Sequence, residues 1–233
     1  MDRTGLSFNR HGIAEWPGIR LRSAGDEFDI AGGGITILDS RTRNDAGDTA
    51  VAFTGGHNAF RQSLLVRADD ASRISGYDSF TGDVRVGALA GTTGESRLLQ
   101  LTGLADADGA RLNGARLNGV RVETASGQVT ADGSARYVIA AGASPVLEMR
   151  RHLYPSADTM PQVVYLGDEL GERELLDALA NGNIDALAPG AIGNTDAAQE
   201  SGGAFVVDTL DSAVEYGGFA VAAVDTELLA SLN

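Results

Sequence analysis

The sequence predicts an α/β fold whose sheets are parallel or mixed. Short apolar runs that favour strands recur along the chain, at 30–38, 63–67, 84–89, 184–187, 204–207 and 218–224. Helical periodicity lies between these runs and is clearest from Glu172 to Ala180, where Leu175, Leu176 and Leu179 fall on one face. Strands that alternate with helices are typical of α/β sheets. The length of 233 residues suits one large domain or two smaller lobes.

The first elements along the chain are a short helix and a strand interrupted by glycines. Apolar periodicity from Trp16 to Leu21 predicts the helix, and Gly25 is its expected C-cap. The run from Ile30 to Leu38 predicts a buried strand that three consecutive glycines interrupt. Two further strands follow at 63–67 and 84–89, joined by a polar connection.

The strand at 84–89 leads into a glycine turn and a helix. The turn reads AGTTGE at 90–95, and leucines follow at positions 98, 99 and 101. A helix that starts in this way presents free backbone N–H groups and the positive end of its dipole. The helix at 172–180 ends at Gly182, and the last helix is expected from Thr226 to Leu232.

Residues 103–140 interrupt the alternation of helices and strands. They contain the tandem repeat ARLNG at 110–114 and 115–119, followed by the alternating pattern VRVET. Because Asn-Gly pairs favour type I′ turns, this segment predicts a β-hairpin insertion.

Composition excludes several classes of function. The net charge of −14 argues against binding to nucleic acids or anionic membranes. The chain contains no lysine, which excludes Schiff-base and Walker-A chemistry, and no cysteine, which excludes thiolate sites. The three histidines, His11, His57 and His152, are not spaced as metal ligands. We therefore expect no catalytic residue, metal or cofactor.

The glycine-broken strand is the first candidate binding site. Glycines at a strand end leave backbone N–H groups open to an anion. A hydroxyl at Thr36 and a guanidinium at Arg41 follow them, and the guanidinium fork fits a carboxylate. The alternative is that Arg41 is a surface arginine equivalent to Arg43. The second candidate site is the helix start at Thr92 and Thr93, whose hydroxyls could also serve only as a helix cap.

Four stretches of the chain form an ordered set of motifs. The first extends from Trp16 through FDIAGGGIT at 28–36 to Arg41, and the second is VGALAGTTGE at 86–95. The third is Leu179 to Ala186, and the fourth begins with YGGFAV at 216–221. In this order, the four stretches resemble motifs of family 3 extracellular solute-binding proteins, the ligand-binding subunits of polar amino-acid ABC importers. The resemblance covers the chain from about Trp16 to Asn233.

This resemblance implies a periplasmic-binding-protein-like fold of two lobes that close on a ligand. Residues 1–83 and 206–233 would form an incomplete first lobe, and 84–205 the second. A small carboxylate-bearing ligand, an amino acid or related organic acid, would be bound by the following residues: Gly33, Gly34, Thr36, Arg41, Thr92 and Thr93. The implied partners are ABC permease subunits. A monomer in the periplasm or outside the cell is expected, with any signal peptide outside this numbering.

The chain departs from the family pattern at two positions. The family usually binds the ligand ammonium with an aspartate, where this chain has Gly190, and His57 replaces a tyrosine of the family. Two alternative functions remain open. One is a cyclohexadienyl or arogenate dehydratase on the same fold, with Glu95 or Glu200 offered as general acid. The other is the ligand-sensing domain of a receptor.

Overall fold

The computed structural model describes residues 7–13, 18–106, 114–140, 147, 149–166 and 171–233. The α-helices of this part are α1 (Thr93–Leu101), α2 (Glu172–Ala180), α3 (Ala191–Glu200) and α4 (Thr226–Leu232). The strands are β1 (Ile30–Thr36), β2 (Val51–Phe53), β3 (Asn58–Phe60), β4 (Ser63–Arg67), β5 (Arg85–Gly87), β6 (Ala105–Asp106), β7 (Gly114–Thr124), β8 (Gly127–Asp132), β9 (Val138–Ala140), β10 (Arg150–Tyr154), β11 (Gln162–Val164), β12 (Ala186–Leu187), β13 (Phe205–Leu210) and β14 (Glu215–Ala222).

The chain divides into two compact units. The first contains Met1–Ala59 and Glu215–Asn233, and the second contains Phe60–Val214. In the first unit, β14 lies between β1 and β2, antiparallel to both, and also pairs with β3. A 3₁₀ helix over Ile19–Ala24 precedes this sheet and ends at Gly25, whose N–H donates to Arg22 O. Trp16, with which the predicted helix begins, lies outside the described residues.

The second unit is built on a mixed sheet. Its central strands run in the order β13-β4-β12-β5-β11-β10-β7, and β5 is parallel to both β11 and β12. Helix α1 covers one face, where Leu98 and Leu99 are fully buried. Leu175 and Leu179 of α2 pack in a second cluster that includes Leu65 of β4. The predicted α/β class with mixed sheets is confirmed.

The boundaries of these units differ from those expected from the motifs, which were 83/84 and 205/206. Strand β4 pairs antiparallel with β12 and β13, so its hydrogen bonds place residues 60–83 with the second sheet. Strand β13 continues to Leu210, which extends the second unit beyond residue 205. The motifs locate the stretches that resemble the family, whereas strand pairing determines where each unit ends.

The insertion contains a β-hairpin, but its turn is not at an Asn-Gly pair. Strands β7 and β8 are joined through Ala125 and Ser126. Asn118-Gly119 lies inside β7, where the register with β8 shifts and Gly119 has a φ of 70°. The turn assignment for this pair was therefore wrong, because a left-handed glycine fits a β-bulge as well as a turn. The first Asn-Gly pair, at 113–114, falls partly outside the described residues.

Candidate functional site

Arg41 is buried in the first unit, with only 2% of its surface exposed. It lies in a short 3₁₀ turn, Asp39–Thr42, directly after β1. Arg20 fixes this turn, because its Nε donates to Arg41 O at 2.8 Å and its Nη2 donates to Arg43 O at 3.2 Å. Arg43 is much more exposed and its Nη1 donates to Gly47 O. The two arginines are therefore not equivalent.

The burial of Arg41 has an electrostatic cost. Burial, followed by repulsion from the nearby Arg20, lowers the pKa of Arg41 to about 10, and attraction to Glu215 opposes this shift. The guanidinium is still protonated at neutral pH, so the interior of this unit contains a positive charge that favours a nearby anion.

Thr36 is brought beside Arg41 by the end of β1. The Nη1 of Arg41 donates to Thr36 O at 3.3 Å, and the Thr36 hydroxyl donates to Glu215 Oε2 at 3.0 Å. The glycines before Thr36 form a bulge, since the register of β1 with β14 shifts between Ala31 and Ile35.

The glycine run also has structural reasons. Gly34 has a φ of 87°, in the left-handed region that favours glycine. A Cβ on Gly32 would lie 2.6 Å from the ring of Phe219. Gly33 lies in the strand between them. The bulge and the packing of Phe219 therefore explain two of the three glycines without a ligand.

Thr92 and Thr93 lie at the start of α1, in the second unit. Thr92 is the N-cap, because its Oγ1 accepts from Glu95 N–H at 3.1 Å. The same hydroxyl donates to Leu89 O at 2.8 Å. In return, Glu95 Oε2 accepts from Gly91 N–H at 2.7 Å, which completes a reciprocal cap. The hydroxyl of Thr92 is thus engaged in forming the helix.

Glu95 is fully buried and forms an ion pair with Arg150 of β10. Arg150 Nε and Nη2 each donate to one carboxylate oxygen at 2.6 Å, and the hydroxyl of Tyr165 donates to Oε1 at 2.6 Å. Burial and the charge of Glu95 raise the pKa of Tyr165. Burial alone would lower the pKa of Arg150, but attraction to Glu95 outweighs it and the pKa is raised. This carboxylate has no free oxygen to act as the general acid of a dehydratase.

Thr93 is linked through Gln62 to the segment that leads into α3. Gln62 Nε2 donates to Thr93 Oγ1 at 3.1 Å, and Gln62 also forms a backbone bridge with Gly190. A Cβ on Gly94 would lie 2.6 Å from Ala188 O, so the start of α1 packs closely against the residues before Gly190. Gly190 is the N-cap of α3.

Two of the three histidines, His57 and His152, lie against aromatic rings. His57 stacks on Phe219 at 4.2 Å, and His152 stacks on Tyr154 at 4.0 Å and hydrogen-bonds Gln162. In the part of the chain that the structure describes, His, Asp and Glu side chains form no group of three able to hold a metal ion. No helix among the described residues has the length and apolar character needed to cross a membrane.

Sequence reasoning missed Arg20, Glu215, Arg150 and Tyr165. Arg20 lies within the first motif and Glu215 directly precedes the last one, yet neither position belongs to the motif pattern. Arg150 and Tyr165 carry no local signal, since their partner Glu95 is 55 and 70 residues away.

Comparisons with known proteins support the fold. No family model and no curated protein sequence matches the chain. A mutant of ArgBP from T. maritima is similar in structure, with 18% identity and a TM-score of 0.57 over 94% of this chain and 66% of that one. The ancestral amino acid-binding protein AncCDT-1, a precursor of cyclohexadienyl dehydratase, has 21% identity and a TM-score of 0.55, over 93% of this chain and 64% of its own.

The ligand-binding core of GluR0, solved with L-glutamate, has 14% identity and a TM-score of 0.55 over 93% of this chain and 67% of that one. The chain thus spans about two thirds of the length of the proteins that it matches. The predicted fold, that of type II periplasmic binding proteins, is confirmed.

Proposed function

We propose that this chain is the solute-binding component of an ABC importer and captures a small carboxylate-bearing ligand, an amino acid or related organic acid. The observation that carries the proposal is the buried guanidinium of Arg41, held beside Thr36 at the end of a bulged strand. A buried arginine next to a hydroxyl recognises a carboxylate through charge-assisted hydrogen bonds. The proteins of similar fold that were solved with arginine or L-glutamate bound support this assignment.

The roles proposed for the other site residues follow from their positions. In the first unit, the Thr36 hydroxyl and the backbone at Gly33 and Gly34 assist Arg41. In the second unit, Thr93 offers a hydroxyl at the positive end of α1, and Thr92 offers its backbone N–H. Because Arg150 neutralises Glu95, the acidic residue in the first turn of α1 does not cancel this positive end.

The ligand class is proposed to favour acids without an α-ammonium. The described residues of α3 include no acidic side chain in the first turn, and Gly190 is its N-cap. The one aspartate of this helix, Asp196, is exposed and lies near Glu172. A buried ammonium needs a carboxylate or several acceptors, which this helix start does not supply.

A thermal-shift panel tests the ligand class. Succinate and 2-oxoglutarate are compared with L-arginine and L-glutamate, and a ligand at a hundred times its Kd stabilises the protein by about 2.7 kcal/mol. We expect shifts with the plain acids. Shifts with the amino acids alone would contradict this preference.

Calorimetry with the best ligand of the panel tests the role of Arg41. Arg41→Ala should weaken binding by roughly 2–5 kcal/mol, because it removes a buried partner of the carboxylate. Arg43→Ala is the matched control and should leave the Kd unchanged. Circular dichroism on each variant separates loss of binding from loss of fold. An unchanged Kd in folded Arg41→Ala would overturn the proposal.

The partners and location belong to the same proposal. The protein acts as a monomer in the periplasm or outside the cell and delivers its ligand to ABC permease subunits. Its function depends on differential affinity between conformations, and no reaction is catalysed. Ligand-dependent association with an ABC permease would support transport, and a kinase or channel segment in the same reading frame would point to sensing instead.

A further inference from the structure

The carboxylate of Glu215 faces the groups that the proposed function assigns to the ligand carboxylate. Thr36 Oγ1 donates to Glu215 Oε2 at 3.0 Å. The negative charge of Glu215 also acts on Arg41 and favours its protonated form. All three residues belong to the first unit. A carboxylate of the protein itself therefore lies beside the proposed carboxylate site.

The pairing of β1 with β14 explains this position. Thr36 lies opposite Gly217, and Ile37 N–H donates to Tyr216 O. Since side chains alternate along a strand, Glu215 projects on the same face as Gly217. Gly217 has no side chain, and a Cβ there would lie 2.3 Å from Asn58 Oδ1. Glu215 is thus the nearest side chain of β14 on this face that can reach Thr36.

The charges around Arg41 give Glu215 an energetic role. Arg20 and Arg41 are both buried, and burial, followed by repulsion from Arg20, lowers the pKa of Arg41. A carboxylate beside them offsets this repulsion and the loss of hydration. Glu215 is only half-buried, so its flexible side chain can turn toward solvent when another carboxylate takes its place.

We propose that Glu215 occupies the carboxylate site at Arg41 and Thr36 in the unliganded protein, and that a ligand must displace it. This inference rests on the proposed function. The competition lowers the apparent affinity by the fraction of molecules in which the site is open. If Glu215 occupies the site nine-tenths of the time, the apparent Kd is about tenfold weaker than the intrinsic one.

A stability experiment tests this role with formate as the probe, because formate is a carboxylate without other recognition features. Glu215→Ala should lower the Tm by about 4–8 °C, and formate should restore it relative to chloride at equal ionic strength. Formate should not raise the Tm of the wild type. Glu227→Ala, an exposed glutamate of α4, is the control and should show neither effect. If Glu215→Ala does not fold, Glu215→Gln is used in its place.

The double variant Glu215→Ala/Arg41→Met tests whether formate restores the Tm by binding at Arg41. We expect no formate rescue in this protein, because the guanidinium that binds formate is gone. Rescue that persists without Arg41, or a Tm of Glu215→Ala equal to that of the wild type, would overturn the inference.

A binding experiment tests displacement directly. With succinate, Glu215→Gln should bind about tenfold more tightly than the wild type, and Glu227→Gln should bind equally. Weaker binding by Glu215→Gln would show that Glu215 helps to hold the ligand, which contradicts the inference. If no acid of the panel binds either protein, the proposed function fails, and the formate experiment still decides the role of Glu215.

Discussion

Replacement of Arg150 by methionine should cost more stability than any surface change in the second unit. The variant leaves Glu95 buried without its cation, and removing one partner of a buried ion pair typically costs about 3–5 kcal/mol. Glu95 would keep the hydrogen bonds from Tyr165 and Gly91, so we expect the lower value, about 3 kcal/mol. In a protein of this size that corresponds to a fall in Tm of about 6–12 °C.

Urea unfolding followed by circular dichroism measures this loss. The matched control is Arg151→Met, which changes an exposed neighbour on the same strand and should cost less than about 0.5 kcal/mol. The double variant Glu95→Gln/Arg150→Met removes both charges and should be more stable than Arg150→Met alone. An Arg150→Met variant as stable as Arg151→Met would refute the argument that this pair supports the second unit.

Three further changes have expected outcomes. Burial alone would raise the pKa of Asp185, but hydrogen bonds and charge from Arg85, with the charge of Arg73, hold it below its ordinary value. The ionised Asp185 therefore stabilises the fold at neutral pH, and this stabilisation is lost as the pH falls below about 4. In Asp185→Asn the Tm should fall less steeply with decreasing pH below about 4 than in the wild type, whereas the control Asp177→Asn should behave as the wild type. Gly34→Ala should lower stability by about 1–2 kcal/mol in urea unfolding because of its positive φ, whereas Gly12→Ala should not. Thr92→Ala should cost about 1 kcal/mol in the same assay, and Thr92→Ser should restore it, if the hydroxyl acts as a helix cap.

The elements that the sequence predicted well are those with a complete local signal. The strand Ser63–Arg67 and the helix Glu172–Ala180 have the expected bounds, because an apolar run and a helical stripe each define one buried face. Strand β10 was missed, since RRHLY lacks both patterns and its buried Arg150 is explained only by a distant partner. The Asn118-Gly119 pair shows a different limit, because it specifies a backbone conformation and not whether the chain reverses.

The sequence indicated two residues of the candidate site but not the charged side chains that surround them. The motifs indicated Arg41 and Thr36, and the structure places them together. Their neighbours Arg20 and Glu215 became visible only through the packing of the first unit, because charges that are remote in sequence determine the local field.

The position of β14 has a consequence for the order of folding during synthesis. This strand is central to the first sheet, yet it lies 179 residues after the end of β1, measured from Thr36 to Glu215. The second unit, by contrast, is one continuous segment between the two parts of the first. A ribosome therefore releases all of the second unit before β14 emerges. Until then, β1 and β2 lack the strand that pairs with them. Unpaired strand edges favour aggregation, which chaperones limit.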